Sequence, residues 1–398
     1  MTRLRAVFWR VMGLAILAAG AYATWVRFAH GLGASTNLTD RSPWGIWIGF
    51  DVLCGVGLAA GGFAITTAVY ILHLEKLRPV VRPTVLTAFL GYVLVTVGLL
   101  FDLGRPWNIW RAIVWWNPHS VMFEVAWCVM LYSTVLALEF SPVVFERLRW
   151  NRAVKVVKRL VVPLVGLGFL LSTLHQSSLG SLFLILPTKL HPLWYSPILP
   201  ILFWLSAVSI GLAMVIFESG LSARAFGREL EFHVLQPLAK AMAVLLGLFL
   251  SVRFLDLGWR GALGDAFRFS GAGAYEAWMF WLETTLLALP VLLVAVPAVR
   301  SHPQRLFGCS ILAVGGFLVN RLNVATTGLD AFSGRYFPSW MEVAVTMAIV
   351  VAGMNVFRLA VRYLPVFPEQ PVFPKQPVFP KQSETVEPAP QPAVYAEP

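Results

Sequence analysis

The sequence predicts an all-α integral membrane protein of about ten transmembrane helices, with two four-helix bundles (helices 2–5 and 6–9) flanked by helices 1 and 10. Three observations carry that prediction. Hydrophobic residues fill 58% of the 398 positions and charged residues only 13%, about half the charged share of a soluble domain. Ten apolar stretches approach or exceed the roughly 20 residues that a helix needs to cross a bilayer. Two short patterns also recur in order: Phe101-Asp102-Leu103-Gly104 as Leu255-Asp256-Leu257-Gly258, and the helix-borne Glu124 as Glu283, at offsets of 154 and 159 residues.

The stretches lie at about 11–29, 44–72, 84–101, 119–140, 160–182, 197–219, 236–255, 276–298, 306–326 and 339–362. Their length, and the lack of alternating ten-residue strands, selects helices over a barrel. The first follows a basic start (Arg3, Arg5, Arg10) with no small-residue cleavage site, so it reads as a retained helix. The second is crowded with Gly45, Gly49, Gly55, Gly57, Gly61 and Gly62, which fits close helix packing. The third ends at Asp102 and Arg105, and His119 opens the fourth. From about residue 364 the composition changes. Pro-Val-Phe-Pro recurs three times, marking a proline-rich, extended cytoplasmic tail (364–398) after a membrane domain of residues 1–363.

Lysine and arginine number twenty on one set of flanks and ten on the other, with the densest cluster at 147–159. The richer side faces the cytoplasm by the positive-inside rule, which places both termini there. The net charge of +11 is thereby a matter of topology and gives no reason to expect nucleic acid as a partner. Cys54, Cys128 and Cys309 sit singly in apolar runs, so neither a disulfide framework, a zinc site nor an iron–sulfur site is expected. The tryptophans near the outer ends (Trp44, Trp107, Trp110, Trp115, Trp116, Trp194) read as an interfacial belt.

Ionisable residues concentrate in the outer halves of the helices. Asp51, Asp102, Arg105, His119, Glu124, His175 and Gln176 fall in the first half of the chain, and Asp256, Glu283, Arg321 and Asn323 in the second. Charge at membrane depth is costly and marks function by default. A one-sided polar vestibule suits quinone chemistry: the headgroup needs hydrogen-bond donors for its carbonyls, groups that exchange protons, and an apolar route for its tail. The competing reading is that these groups are ion pairs locking helix ends, as Asp102 with Arg105. Haem b would need two facing histidines, and only His119 and His175 are placed for it. Inner-half polar groups (Thr66, Thr67, Tyr70, Tyr132, Ser133) are sparse, which favours proton uptake from the outer side.

Several motifs together resemble the quinone-interacting membrane subunits of the polysulfide reductase/NrfD family, above all the HybB type of nickel–iron hydrogenases. They are Ser42-Pro43-Trp44-Gly45-Ile46-Trp47, Asp102-Leu103-Gly104-Arg105-Pro106, Asn117-Pro118-His119-Ser120, the run Thr173 to Gly180, Lys189 to Tyr195, Asn320 to Val324, and Arg335 to Ser339. The resemblance implies a membrane protein of the bacterial inner membrane without a redox centre of its own. Its electrons would come from a ferredoxin-like iron–sulfur subunit on the periplasmic face, itself bound to a catalytic subunit. They would pass to menaquinone or ubiquinone. A purely anchoring role, or a haem b subunit, are the alternatives it leaves.

Overall fold

The computed structural model describes residues 3–42, 44–227 and 232–367; of the residues named above, Pro43 and all but the start of the proline-rich segment lie outside them. Ten long helices dominate, numbered here α1 (Arg3–His30), α2 (Trp47–Tyr70), α3 (Arg78–Asp102), α4 (Val121–Arg147) and α5 (Asn151–Leu184). The second half supplies α6 (Leu199–Phe226), α7 (Phe232–Trp259), α8 (Ala274–Ala295), α9 (Pro303–Ala325) and α10 (Trp340–Tyr363). Among the described residues nine segments are long and apolar enough to span a membrane. The tenth, α5, is a 34-residue helix whose first turns carry Arg152, Lys155, Lys158 and Arg159.

Each apolar stretch appears as a helix, and most helices run a few residues further than the stretch. Hydropathy measures the hydrocarbon-matched segment, whereas helical hydrogen bonding continues until a local signal stops it. α6 stops at Gly227, whose left-handed φ of 63° closes its C-terminus. α8 stops where Val296 turns extended ahead of Pro297, because the proline ring disfavours helical backbone at the preceding residue.

The helices alternate up and down. The face carrying the C-terminus of α3 is called upper here, and the face carrying the C-terminus of α4 lower. α2, α3, α4 and α5 pack in a ring, α6, α7, α8 and α9 in a second, and the rings meet where α5 lies against α6 and α2 against α6 and α9. α1 and α10 pair with each other outside, with α10 against α3. The predicted two-bundle architecture with outer helices 1 and 10 is what the chain adopts.

The glycines of α2 explain how it fits between two bundles. A Cβ on Gly61 would sit 2.8 Å from the Gly211 carbonyl oxygen, and one on Gly211 would sit 2.5 Å from the Gly61 nitrogen. The bundles therefore touch backbone to backbone, as small residues allow between membrane helices. We expect Gly61→Val to lower the melting temperature, since such overpacking costs about 1–3 kcal/mol. Gly13→Val, where a new Cβ meets nothing within 4 Å, should melt like the parent chain. Equal melting of all three proteins would refute the close contact.

A second equivalence supports the internal repeat. Trp127 Nε1 donates to the Ala112 carbonyl at 3.0 Å, and Trp281 Nε1 donates to the Ala266 carbonyl at 2.8 Å. Both pairs are 154 residues apart, the same offset as Asp102 and Asp256. In that register Glu283 corresponds to Val129 and Glu124 to Trp278. The match of Glu124 with Glu283 made from sequence therefore does not join equivalent positions.

Candidate functional site in the first bundle

The upper turns of α2, Trp47–Cys54, are π-helical, a widened geometry often found at functional sites. Asp51 lies in this segment and is buried. Its carboxylate accepts a hydrogen bond from Thr346 on α10 at 2.8 Å. A Cβ on Gly98 of α3 would sit 2.7 Å from the Asp51 Cβ, so the glycine makes room for the acid.

Asp102 ends α3. Its Oδ1 is buried and finds no hydrogen-bond partner among the described residues. The sequence offered Arg105 as its ion-pair partner; Arg105 is exposed in the loop, and the pair does not form. Arg27 of α1 is the cation that influences Asp102. It is buried, and it donates to the Phe101 carbonyl at 2.7 Å and to the Leu103 carbonyl at 2.6 Å, capping the orphan carbonyls of α3. Counted from sequence as a flanking charge, Arg27 was missed as a site residue. Nothing local in the sequence links it to a partner 74 residues away.

Glu342 opens α10 as half of a capping box with Ser339. It also accepts from the Asn37 nitrogen at 3.0 Å and from the Tyr336 hydroxyl. Tyr336 in turn accepts from the Ile46 nitrogen at 3.1 Å. Burial, then the Glu342 hydrogen bond, push the Tyr336 phenol upward, so it stays protonated as a donor.

His175 and Gln176 lie in the core of the ring on α5. Gln176 Nε2 donates to the Val56 carbonyl of α2 at 3.1 Å. His175 is fully buried, and neither ring nitrogen has a partner among the described residues. Its ring centroid is 5.7 Å from that of Tyr92, which makes an edge contact with Tyr132 at 4.7 Å. The hydroxyls of Tyr92, Tyr132 and Ser172 are buried close to one another in the same interior. Tyr92 and Ser172 were not singled out from sequence. A buried polar atom without a partner is rare and costly, and here both nitrogens of one imidazole are such atoms.

The remaining first-half candidates stand apart. Glu124 is exposed on α4 and accepts from Ser178 of α5 at 2.5 Å. His119 is exposed in the loop before α4. The single vestibule expected from sequence is therefore several groups: Asp51 beside α10, Asp102 beside Arg27, the His175 interior, and an exposed rim of Arg105, His119 and Glu124. Among the described residues no cluster of three or more His, Cys, Asp or Glu could hold a metal ion.

The second bundle is built differently. Glu283 is fully buried and accepts from Arg253, from Trp194 Nε1 at 3.1 Å, from Asn320 at 3.4 Å and from Asn323 at 2.7 Å. Arg321 donates to Asn320 Oδ1, the Phe203 carbonyl and Ser206, and stacks 3.7 Å above the Phe203 ring. Trp194 is thus no belt residue but a buried ligand of the carboxylate, only 3% exposed. Trp107, Trp110, Trp115 and Trp116 do stand exposed on the upper loop. Asp256 pairs with Arg260 at 2.8 Å near the upper rim. This cluster is a closed, nearly saturated network that joins α7, α8 and α9 to the loop before α6.

Beside it, an upper-face cavity of about 500 Å³ is lined by His191, Asp265, Arg268, Tyr275, Glu276 and Arg335, among others. Burial, the largest influence, holds the His191 imidazole below its ordinary value; Glu276 and Asp265 oppose that shift. The neutral ring accepts the Leu193 N–H at Nδ1, 3.2 Å away. Its stabilising effect is complete above the unfolded value near 6.5 and is lost as pH falls below it. We expect His191→Asn, whose Oδ1 can replace that acceptor, to flatten the fall in melting temperature between pH about 6.5 and 5. An unchanged pH profile would remove His191 from this role.

Comparison with known proteins identifies the family. A family model described as "Polysulphide reductase, NrfD" matches residues 34–332. The "Probable Ni/Fe-hydrogenase 2 b-type cytochrome subunit" of Escherichia coli K12 is 36% identical, over 86% of this chain and 88% of its own length. The "Menaquinone reductase, integral membrane subunit" of Nitratidesulfovibrio vulgaris is 30% identical over 92% of each chain. The "Hdr-like menaquinol oxidoreductase integral membrane subunit" of Archaeoglobus fulgidus is 24% identical, over 89% of this chain and 92% of its own length. With two rings of four helices and an outer pair, this chain belongs to the polysulphide reductase NrfD family of multi-pass membrane proteins.

Proposed function

We propose that the chain is the quinone-reactive membrane subunit of a respiratory oxidoreductase, passing electrons between an iron–sulfur partner and menaquinone or ubiquinone. The observation that carries this reading is the contrast between the bundles. The Glu283 cluster of the second turns its carboxylate and most of its donors on one another, whereas the first keeps Asp102 Oδ1 and both His175 nitrogens unpartnered among the described residues. Those groups are suited to a headgroup that presents two carbonyl oxygens and takes up two protons with two electrons. The names of the hydrogenase and menaquinone reductase relatives support the same chemistry, and different catalytic partners among relatives leave the upstream enzyme open.

The upper face is then periplasmic and both termini cytoplasmic, on the excess of Lys and Arg at the lower ends. The exposed tryptophans of the 103–120 loop, with Arg105 and His119, form a docking surface for the iron–sulfur partner, of the kind rich in aromatic anchors. Residues 1–363 form the membrane domain, and the proline-rich segment serves as a cytoplasmic appendage.

A photoreactive quinone tests the assignment. Irradiated with the purified complex, it should label peptides of α2, α3 and α5, and excess menaquinone should prevent the labelling. Labelling confined to α7–α9, or none at all with normal dye-linked activity in the partner, would favour an anchor. A reduced-minus-oxidised spectrum with a haem α-band would instead assign a cytochrome b.

A further inference from the structure

One cation of the Glu283 cluster keeps a buried donor to spare. Arg253 is 4% exposed, and its Nη1 has no hydrogen-bond partner among the described residues. It lines a small cavity, with room of about 20 Å³, between α6, α7, α9 and the loop at Leu193–Ser196. Arg321 and Asn320 line the same cavity, and the Asp256–Arg260 pair borders it. Phe203, Phe249 and Leu257 make the rest of its wall apolar.

The charges do not balance. Asp256 and Arg260 neutralise each other, which leaves two buried guanidiniums, Arg253 and Arg321, against the single carboxylate of Glu283. Cys54, beside Arg321, donates its thiol hydrogen to the Gly49 carbonyl at 3.2 Å and is therefore not a thiolate. A net buried positive charge away from bulk water is expensive unless something pairs with it. The cavity exceeds the roughly 10–15 Å³ that one water-sized particle needs.

We propose that this cavity binds a small monovalent inorganic anion of the chloride class, held by Arg253 Nη1 with Arg321 supplying further charge. The anion completes the Arg253–Glu283–Arg321 network and braces the upper ends of α6, α7 and α9. It lies in the second bundle and is independent of where quinone reacts.

Crystals or particles of the purified protein prepared in bromide should give an anomalous or density peak at hydrogen-bond distance from Arg253 Nη1. The full chain in detergent should also gain melting temperature saturably when chloride replaces gluconate at constant ionic strength. Asn320→Asp places the missing negative charge in the protein, so its melting should no longer depend on chloride. Only water at Arg253 in bromide, or equal melting of the parent chain in chloride and gluconate, overturns the proposal. The bromide and melting tests on the parent chain decide it even if Asn320→Asp does not fold.

Discussion

Replacing Glu283 with alanine should leave little folded protein in the membrane. The carboxylate is fully buried and gathers Arg253, Trp194, Asn320 and Asn323 around it. Removing it strands a buried cation, which by itself costs about 3–5 kcal/mol, and it leaves the Trp194 indole and the Asn320 amide without acceptors. Domains are typically stable by only about 5–15 kcal/mol, so the loss is a large part of the whole. Glu283→Gln, which keeps the shape and one acceptor, should be milder yet clearly destabilised. Asp256→Asn breaks only the partly exposed pair with Arg260, an interaction worth at most about 1 kcal/mol. Yield in membranes and detergent melting should rank Glu283→Ala below Glu283→Gln, and both below Asp256→Asn. A Glu283→Ala protein that melts with the parent would show the network to be dispensable.

The same contrast explains how far the sequence could be read. Helix number and order follow from hydropathy, because the bilayer imposes length and internal hydrogen bonding on every span, and the two-bundle layout from the recurrence of Asp102-Leu103-Gly104 as Asp256-Leu257-Gly258. Helix ends were less legible: α5 begins at Asn151 rather than near 160, since basic residues outside the hydrocarbon remain helical. Least legible was which side chain faces which. Trp194 resembles every other end-of-helix tryptophan until the fold turns it onto Glu283, 89 residues away. Arg27 resembles a topological charge until it reaches the last carbonyls of α3. Asp102 and Asp256 occupy equivalent places in the repeat, yet Oδ1 of the first accepts from no described residue while the second is paired. Hydropathy has no record of such long-range choices, and they are what make the two bundles chemically different.

Replacing His175 with phenylalanine should separate fold from function in the first bundle. The ring is completely buried and neither nitrogen is hydrogen-bonded to any described residue, so an apolar ring of similar shape removes no observed bond. Exchanging an unpartnered polar group for an apolar one is neutral or stabilising, and the variant should melt at or above the parent temperature. If His175 exchanges protons with quinone, turnover in the assembled complex should fall by roughly 10²–10⁴-fold, the usual effect of losing a positioned acid or base. The partner's dye-linked activity, which bypasses this chain, should not change. Asp102→Asn tests the other unpartnered group by the same pair of assays: the amide cannot ionise, and the Arg27 cap on the carbonyls of α3 is left in place. A stable His175→Phe or Asp102→Asn complex with full quinone-linked turnover would exclude that residue from proton exchange. If both retained it, the quinone site would have to be sought outside the first bundle. A His175→Phe chain that failed to fold would instead mean that the imidazole holds a buried water or helix contact, and its role would be structural.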